Sequence, residues 1–438
     1  MVCRPLARVL ALLVVLSGVQ VVRVMAEPQA AAAGPVLTLN EAVRIALQNN
    51  RSLKLAAAEV EKAAQQVEVA RTNRLPKFNL GFVNPMIITD LDLRLGPVGS
   101  LGLPHNFAFA TGTAAQPLSQ LYDIGLGVKA SGLSRDLAAE RLRDARQTVV
   151  NEIKRAYYGC LRAESGLKPS RDAVELFREL ERVVFSLVDE RAALDSDRLD
   201  VQVRRAQQEH DVVVLENALT TGRERLNVAL AREITTPFDL EAVPPTVPAE
   251  TDLAAARARV LDERPDVRQA RITVDLARTD LKLKKAEQMP HVSALFAYIG
   301  NINMPLLPGN IATAVLQANW EPFDWGRKTR EQTVKQLAIG QAETAVRELE
   351  AAIAVDLNAK FRAVREARSL IGVTEFGERA ARERLRVMLD RHAEGAVLTK
   401  DLLQAQVALA DADHKYQAAL LAYWEARADF EKAAAEDP

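Results

Sequence analysis

The sequence predicts a mainly α-helical protein with a small β part, built twice on one plan. Three observations predict it. Residues 39–76 lie on residues 253–290 without a gap when moved forward by 214 positions: Leu39 meets Leu253, Ala42 meets Ala256, Leu47 meets Leu261, Ala56 meets Ala270, Val60 meets Val274, Ala63 meets Ala277 and Pro76 meets Pro290. The chain is poor in glycine (20 of 438 residues) and in aromatic residues (5%) but rich in Ala, Leu, Glu and Arg, which is the composition of long helices packed through small side chains. Each copied helical pattern stops at its proline and runs into alternating, aromatic-containing sequence. A repeat of about 200 residues is too long for a solenoid unit, so the expectation is two halves related by internal pseudo-symmetry.

Residues 1–26 read as a secretory signal. Arg4 and Arg8 supply a positive start, residues 10–16 an apolar run, and Val24-Met25-Ala26 a small-residue cleavage site before Glu27. The apolar run is well short of the ~20 residues a spanning helix needs. Cys3 lies ahead of that run, so it is not a lipid-acceptor cysteine. Losing this segment takes the net charge from −1 to −4, and nothing in the remainder suggests a nucleic-acid partner. One cysteine, Cys160, then remains, so no internal disulfide is expected. Its neighbours Tyr157, Tyr158 and Leu161 point to a packed helix position.

The first repeat covers residues 27–236. Asn40 is placed to cap a helix beginning at Glu41, and apolar residues from Ala42 to Ala70 recur at helical spacing until Pro76. Phe78 to Val83 alternates as a strand does, and so does Phe107 to Thr113, after a loop holding Gly96, Pro97, Gly99 and Gly102. The helical period returns after Gln116-Pro117-Leu118. It persists to about Ala193, with interruptions expected at Gly132 and at Gly166 to Pro169. Residues 194–199 are polar, and helix resumes at Asp200 until about Glu233. Pro237, Pro244, Pro245 and Pro248 make residues 237–250 a stiff linker. The second repeat, residues 251–438, replays the plan: a helix over 253–288 with a break near Pro265, strands over 291–299 and 311–320, a long helix from Gly326 to about His392, a turn at Gly395 and a last helix over 401–435.

In the strand over 311–320, Ala312, Ala314, Leu316, Ala318 and Trp320 share one face, and Thr313, Val315, Gln317 and Asn319 stand on the other. This alternation fits a membrane strand, which needs about 9–11 residues, and it fits equally a hairpin on a soluble core. Trp320, Phe323 and Trp325 could anchor a strand end at a lipid–water boundary. In lipid only a closed barrel pairs every backbone group, and about eight strands are the usual minimum. Four strands per chain therefore require several chains, with a dimer giving 8 and a trimer 12. The stretch from Ser119 to Ala193, if nearly straight, would reach on the order of 110 Å, beyond any single globular core.

These residues resemble the TolC-like outer-membrane efflux protein family, over nearly the whole chain after the signal. The likeness rests on the Leu39-Asn40-Glu41-Ala42-Val43 opening, the Arg74-Leu75-Pro76 step, Gln116-Pro117-Leu118, Pro322-Phe323-Asp324-Trp325-Gly326-Arg327, and the run from Arg391 through Gly395 and Asp401 to Ala405. The resemblance implies a homotrimer whose four strands per chain close a 12-stranded outer-membrane barrel, continued by a coiled-coil tunnel into the periplasm. It implies a passive, gated duct that works with a periplasmic adaptor and an inner-membrane pump, without a cofactor or chemistry of its own. It places Arg391 and Gly395 at the periplasmic tip where the adaptor docks, Asp200 at the equivalent place in the first half, and Asp401 and Gln404 at the narrow end of the pore. Asp200 and Asp401 also read simply as helix-cap or first-turn residues. The first turn lacks the glycine and reads as one residue shorter than the second.

Other motifs carry little. Gly125-Leu126-Gly127-Val128-Lys129-Ala130 lacks the βαβ setting of a dinucleotide site. Asp411 and His414 form a lone half-site on a solvated helix face, and no metal or catalytic constellation is expected. A periplasmic coiled-coil adaptor or scaffold that never enters lipid is the other reading. It would need a compact β-rich domain, whereas only two short strand pairs are in sight.

Overall fold

The computed structural model describes residues 35–88, 92–94, 100–102, 104–192, 194–248, 252–304, 308–394 and 396–436. The expected signal segment lies outside the described residues. The first half contains β1 (Val36–Leu37), α1 (Leu39–Asn49), α2 (Arg51–Thr72), β2 (Lys77–Val83), β3 (Asp92–Arg94), β4 (Ser100–Gly102), β5 (Ala108–Pro117), α3 (Leu121–Asp189) and α4 (Asp195–Ala229). After β6 (Asp239–Leu240) the second half contains α5 (Leu253–Glu263), α6 (Pro265–Ala286), β7 (His291–Ile302), β8 (Asn310–Asn319), α7 (Arg327–Ala393) and α8 (Thr399–Ala433).

The duplication extends to element length. The helices α1 and α5 both have 11 residues, α2 and α6 both 22, α4 and α8 both 35. Only α3, with 69 residues against 67 in α7, breaks the match among the helices. The caps repeat as well. Thr38 accepts the Glu41 N–H and Asp252, 214 positions on, accepts the Ala254 N–H. Thr38, not Asn40, therefore caps α1. The expected single first helix is in fact two, parted at Asn50, where φ −55° and ψ 131° step out of the helix. Arg264 holds the same conformation (φ −64°, ψ 128°) between α5 and α6.

α3 and α7 run the length of the molecule, each about 100 Å at 1.5 Å per residue. Near the strands the contact order is α2, α3, α6, α7; towards the far end α3 packs on α4 and α8, and α8 on α7. α3 is continuous through Gly132, Gly166 and Pro169, where interruptions were expected. Packing explains this, since Ala173, Val174 and Phe177 just past the proline are buried, and tertiary contacts carry a helix across a residue that propensity alone would not tolerate.

The core lies where the short helices lean on the long ones. Ala42, Ala46, Leu53, Val149, Ile153 and Leu226 form one cluster, and their counterparts Ala256, Val260, Val267, Ile353, Leu357 and Phe430 form another. The residues read as a linker join this packing: Phe238 is 1% exposed and β6 pairs in parallel with β1. The Tyr157 hydroxyl lies 2.8 Å from the Glu241 carbonyl and 3.0 Å from the Leu37 carbonyl, so it holds both segments. Burial pushes its pKa up to about 12. Among the described residues no helix is long and apolar enough to cross a membrane.

Candidate channel-forming and docking surfaces

The strands form one four-stranded antiparallel sheet in the order β2-β5-β7-β8. Its register sorts side chains into two faces. Phe78, Ala114, Phe296 and Ala314 make one cross-strand row, and Leu80, Gly112, Tyr298 and Ala312 another on the same side. Asn79, Thr113, Ala297 and Thr313 make a row on the opposite side. Large and small residues alternate across the first face, and hydroxyl and amide groups mark the second. Phe78, Leu80 and Phe82 are exposed, Leu80 at 92%. Among the described residues, β2 and β8 are the outer strands and have no further partner. Because the four strands alternate in direction, β2 of a second copy would meet β8 antiparallel, and so on round a ring.

The junction between sheet and helices is built by side chains. Ser119 Oγ donates to the Pro290 carbonyl (2.8 Å) and accepts from the Val292 N–H (2.8 Å), while Gln116 donates to the Arg74 carbonyl (3.0 Å). In the second half Asp324 is the anchor. Its carboxylate accepts the Gly326 N–H at 3.1 Å and the Lys328 N–H at 2.7 Å, capping α7. Those backbone bonds, Lys328's the stronger, hold the Asp324 carboxyl below its ordinary range. Trp325 and Gly326 are both left-handed, at φ 58° and 81°. The three expected interface aromatics cluster here and are exposed: Trp320 donates Nε1–H to the Gln288 carbonyl (3.2 Å), and Phe323 stacks edge-on with Trp325 at 4.9 Å.

At the far end the two helical hairpins turn over residues 190–194 and 394–398, five residues each. The first turn is not one residue shorter, as its sequence suggested. The same closing bond appears in both, from Ala192 N–H to the Leu187 carbonyl (2.7 Å) and from Ala396 N–H to the Arg391 carbonyl (2.8 Å). The common spacing of 204 positions sets Arg191, at φ 57°, in the place that Gly395 has in the second half. Gly395 itself lies outside the described residues. Arg391 is exposed in the last turn of α7.

α4 starts at Asp195 rather than Asp200, because Asp197 accepts the Leu194 N–H (3.1 Å) and opens the helix within the polar stretch. The spacing therefore matches Asp401 with Asp197, and Asp200 with Gln404. Asp401 sits in the first turn of α8, but Asp200 is beyond the first turn of α4. Asp200, Asp401 and Gln404 are all exposed. Gln404 also borders an open groove of about 820 Å³ between α3, α4 and α8, floored by Phe177, Leu180 and Leu403. His414, at the other end of that groove, is not on a solvated face. It is half-buried, and a Cβ on Gly166 would stand 2.7 Å from its Cε1.

Sequence reasoning missed Asn50, Asp197 and Asp324 as caps and Arg191 as the turn residue. Carrying the repeat past residue 290 would have exposed Asp197 and Arg191.

Comparison with known proteins agrees with this architecture. Residues 256–436 match the model of the outer membrane efflux protein family. An uncharacterized protein of Haemophilus influenzae is 22% identical over 310 residues, which is 67% of this chain; the chain spans 64% of that relative's length. The solved outer-membrane channel OprN superposes with a TM-score of 0.76 at 18% identity, over 91% of this chain and 90% of its own. The Campylobacter jejuni CmeC outer membrane channel gives 0.78 at 15% identity, over 91% and 85%. The outer membrane efflux protein family's model thus matches the second half of the chain, and the fold of the whole is shared with solved outer-membrane channels.

Proposed function

We propose that this chain is the channel subunit of an export system spanning both membranes of a Gram-negative type envelope. Three copies pool their sheets into a 12-stranded barrel in the outer membrane, and their helices continue it as a duct into the periplasm. A periplasmic adaptor and an inner-membrane pump deliver cargo at the tips near Arg191, Arg391 and Gly395. Asp401 and Gln404 narrow the duct just inside them. Residues 1–26 direct export. The duct is passive, and gating is a movement of the tip helices.

One observation carries this reading: a sheet with an aromatic face and two free edges stands at the end of a helical wall about 100 Å long. Edges of that kind are excluded from lipid unless a ring closes them. Export and docking are supported by the family match of residues 256–436 and by the shared fold, not by a bound partner.

The test is to separate inner and outer membranes, extract the protein in mild detergent and weigh it by light scattering. A trimer from the outer membrane is expected. A soluble monomer in the periplasm would overturn the proposal and leave a scaffold with ordinary hairpins.

A further inference from the structure

The strands β2, β5, β7 and β8 contain no aspartate, glutamate or arginine on either face. Their only basic residues are Lys77 and His291, and each opens its strand at the helix junction. The register brings both onto one side. Lys77 shares a cross-strand row with Ala115, Leu295 and Val315, and His291 stands four residues before Leu295 on the same strand. That side is the one bearing Asn79, Thr113, Ser293 and Thr313. Asp123 lies within electrostatic reach of both His291 and Glu287. Lys77 is exposed and, among the described residues, makes no ion pair.

We propose that Lys77 is the specificity-determining residue of the barrel: the hydroxyl and amide face lines the lumen, its strand wall is electrically blank, and a collar of Lys77 side chains at the helix end supplies its fixed charge. This rests on the channel reading above. The aromatic face belongs outside, because unpaired hydroxyl and amide groups are costly in hydrocarbon while Phe, Leu and Tyr are not. Rings of charged side chains are what give a pore its ion preference. A wall without them passes anionic, cationic and neutral solutes alike, limited by their size. His291 has the carboxylate of Asp123 within electrostatic reach to offset it. In a trimer, three Lys77 ammonium groups then tilt the barrel towards anions, in opposition to any acidic ring formed by Asp401 at the other end of the duct.

The experiment measures the reversal potential of the purified full-length trimer in planar bilayers under a KCl gradient. Lys77→Gln should move the potassium-to-chloride permeability ratio towards potassium by about two-fold, and Thr113→Asp, which adds an acid to the blank wall, by several-fold. Ala114→Ser, one residue along on the opposite face, should leave the ratio at its wild-type value. Conducting trimers in which Lys77→Gln and Thr113→Asp leave the ratio unchanged would overturn the proposal. An absence of both conductance and outer-membrane trimer would instead defeat the channel reading itself. Where Thr113→Asp fails to assemble, cysteine labelling decides: Thr113→Cys should react with a charged, water-soluble thiol reagent and Ala114→Cys should not. The buried Cys160 adds no background. The reverse order of reactivity would place the polar face in lipid and overturn the proposal.

Discussion

The side chain of Asn50 bonds to the last carbonyl of α4: Asn50 Nδ2 donates to Ala229 O at 2.8 Å, and its Oδ1 accepts the Ser52 N–H at 2.9 Å. One residue thus starts α2 and closes α4. In the other half Arg264 Nη1 reaches Ala433 O, the last residue of α8, at 3.3 Å. The two residues differ in chemistry and hold the same joint. Asn50→Ala should lower stability by about 1–2 kcal/mol, the usual cost of losing a cap and a buried partner. Asn50→Asp keeps the acceptor and loses the donor, so it should fall between. Urea midpoints of the three proteins check this order.

Gly222 on α4 faces Cys160 on α3 so closely that a Cβ there would stand 2.7 Å from Sγ. Alanine at 222 would gain about 1 kcal/mol of helix propensity but cost about 1–3 kcal/mol by overpacking. Gly222→Ala should therefore destabilise, and should do so much less in a Cys160→Ala background. A double-mutant cycle reads the coupling. Burial also pushes the Cys160 thiol up to about 11, so it should resist aqueous thiol reagents at pH 8 until the protein is unfolded.

The C-terminal end of α8 is held by two acids. Burial alone would raise Asp429, but bonds from Lys360 (2.9 Å) and Asn151 (3.1 Å) outweigh it and hold the carboxyl below its ordinary value. Glu431 is lowered in the same way, burial being outweighed by Lys154 and Arg427. A depressed acid stabilises the fold fully above its unfolded pKa, and that contribution fades as pH falls through the folded value. The melting temperature should accordingly drop once pH falls below the ordinary carboxylate range. The pair Asp429→Asn and Glu431→Gln should lower it at pH 7 and flatten that acid-side slope.

Arg191 takes a left-handed conformation that costs a non-glycine residue roughly 1–2 kcal/mol. Arg191→Gly should relieve it, with a net gain of up to about 1 kcal/mol after glycine's greater freedom when unfolded. Slower amide exchange over the turn at residues 190–194 would show the gain. Gly395→Val should have the opposite effect at the second tip and weaken crosslinking to an adaptor.

Much of this fold was legible because the chain repeats itself. The 214-position match located both short helix pairs and both strand starts. Pro265 announced the break in one copy, whereas Asn50 before Arg51 gave no such warning in the other. The strands followed from alternation, and the register put Ala312, Ala314 and Leu316 on one face as expected. Gly132 and Pro169 misled because packing overrode local preference along α3. The polar stretch at 194–199 misled because Asp197 caps the helix it seemed to interrupt. Phe238 was hidden among prolines, and only the three-dimensional core shows why an aromatic belongs there. Asp200 resembles Asp401 in sequence setting, but the matched helix lengths pair it with Gln404.

The matched lengths of α4 and α8 make this protein a set of staves cut to one measure. Adding a residue to one would leave its tip standing about 1.5 Å proud of its twin and rotate every side chain beyond it by about 100°. Tolerated length changes should therefore come in register across both halves, or be confined to the strand loops at the opposite end. Deletion scanning of α4 alone, α8 alone and both together would distinguish a wall that keeps time from one that does not.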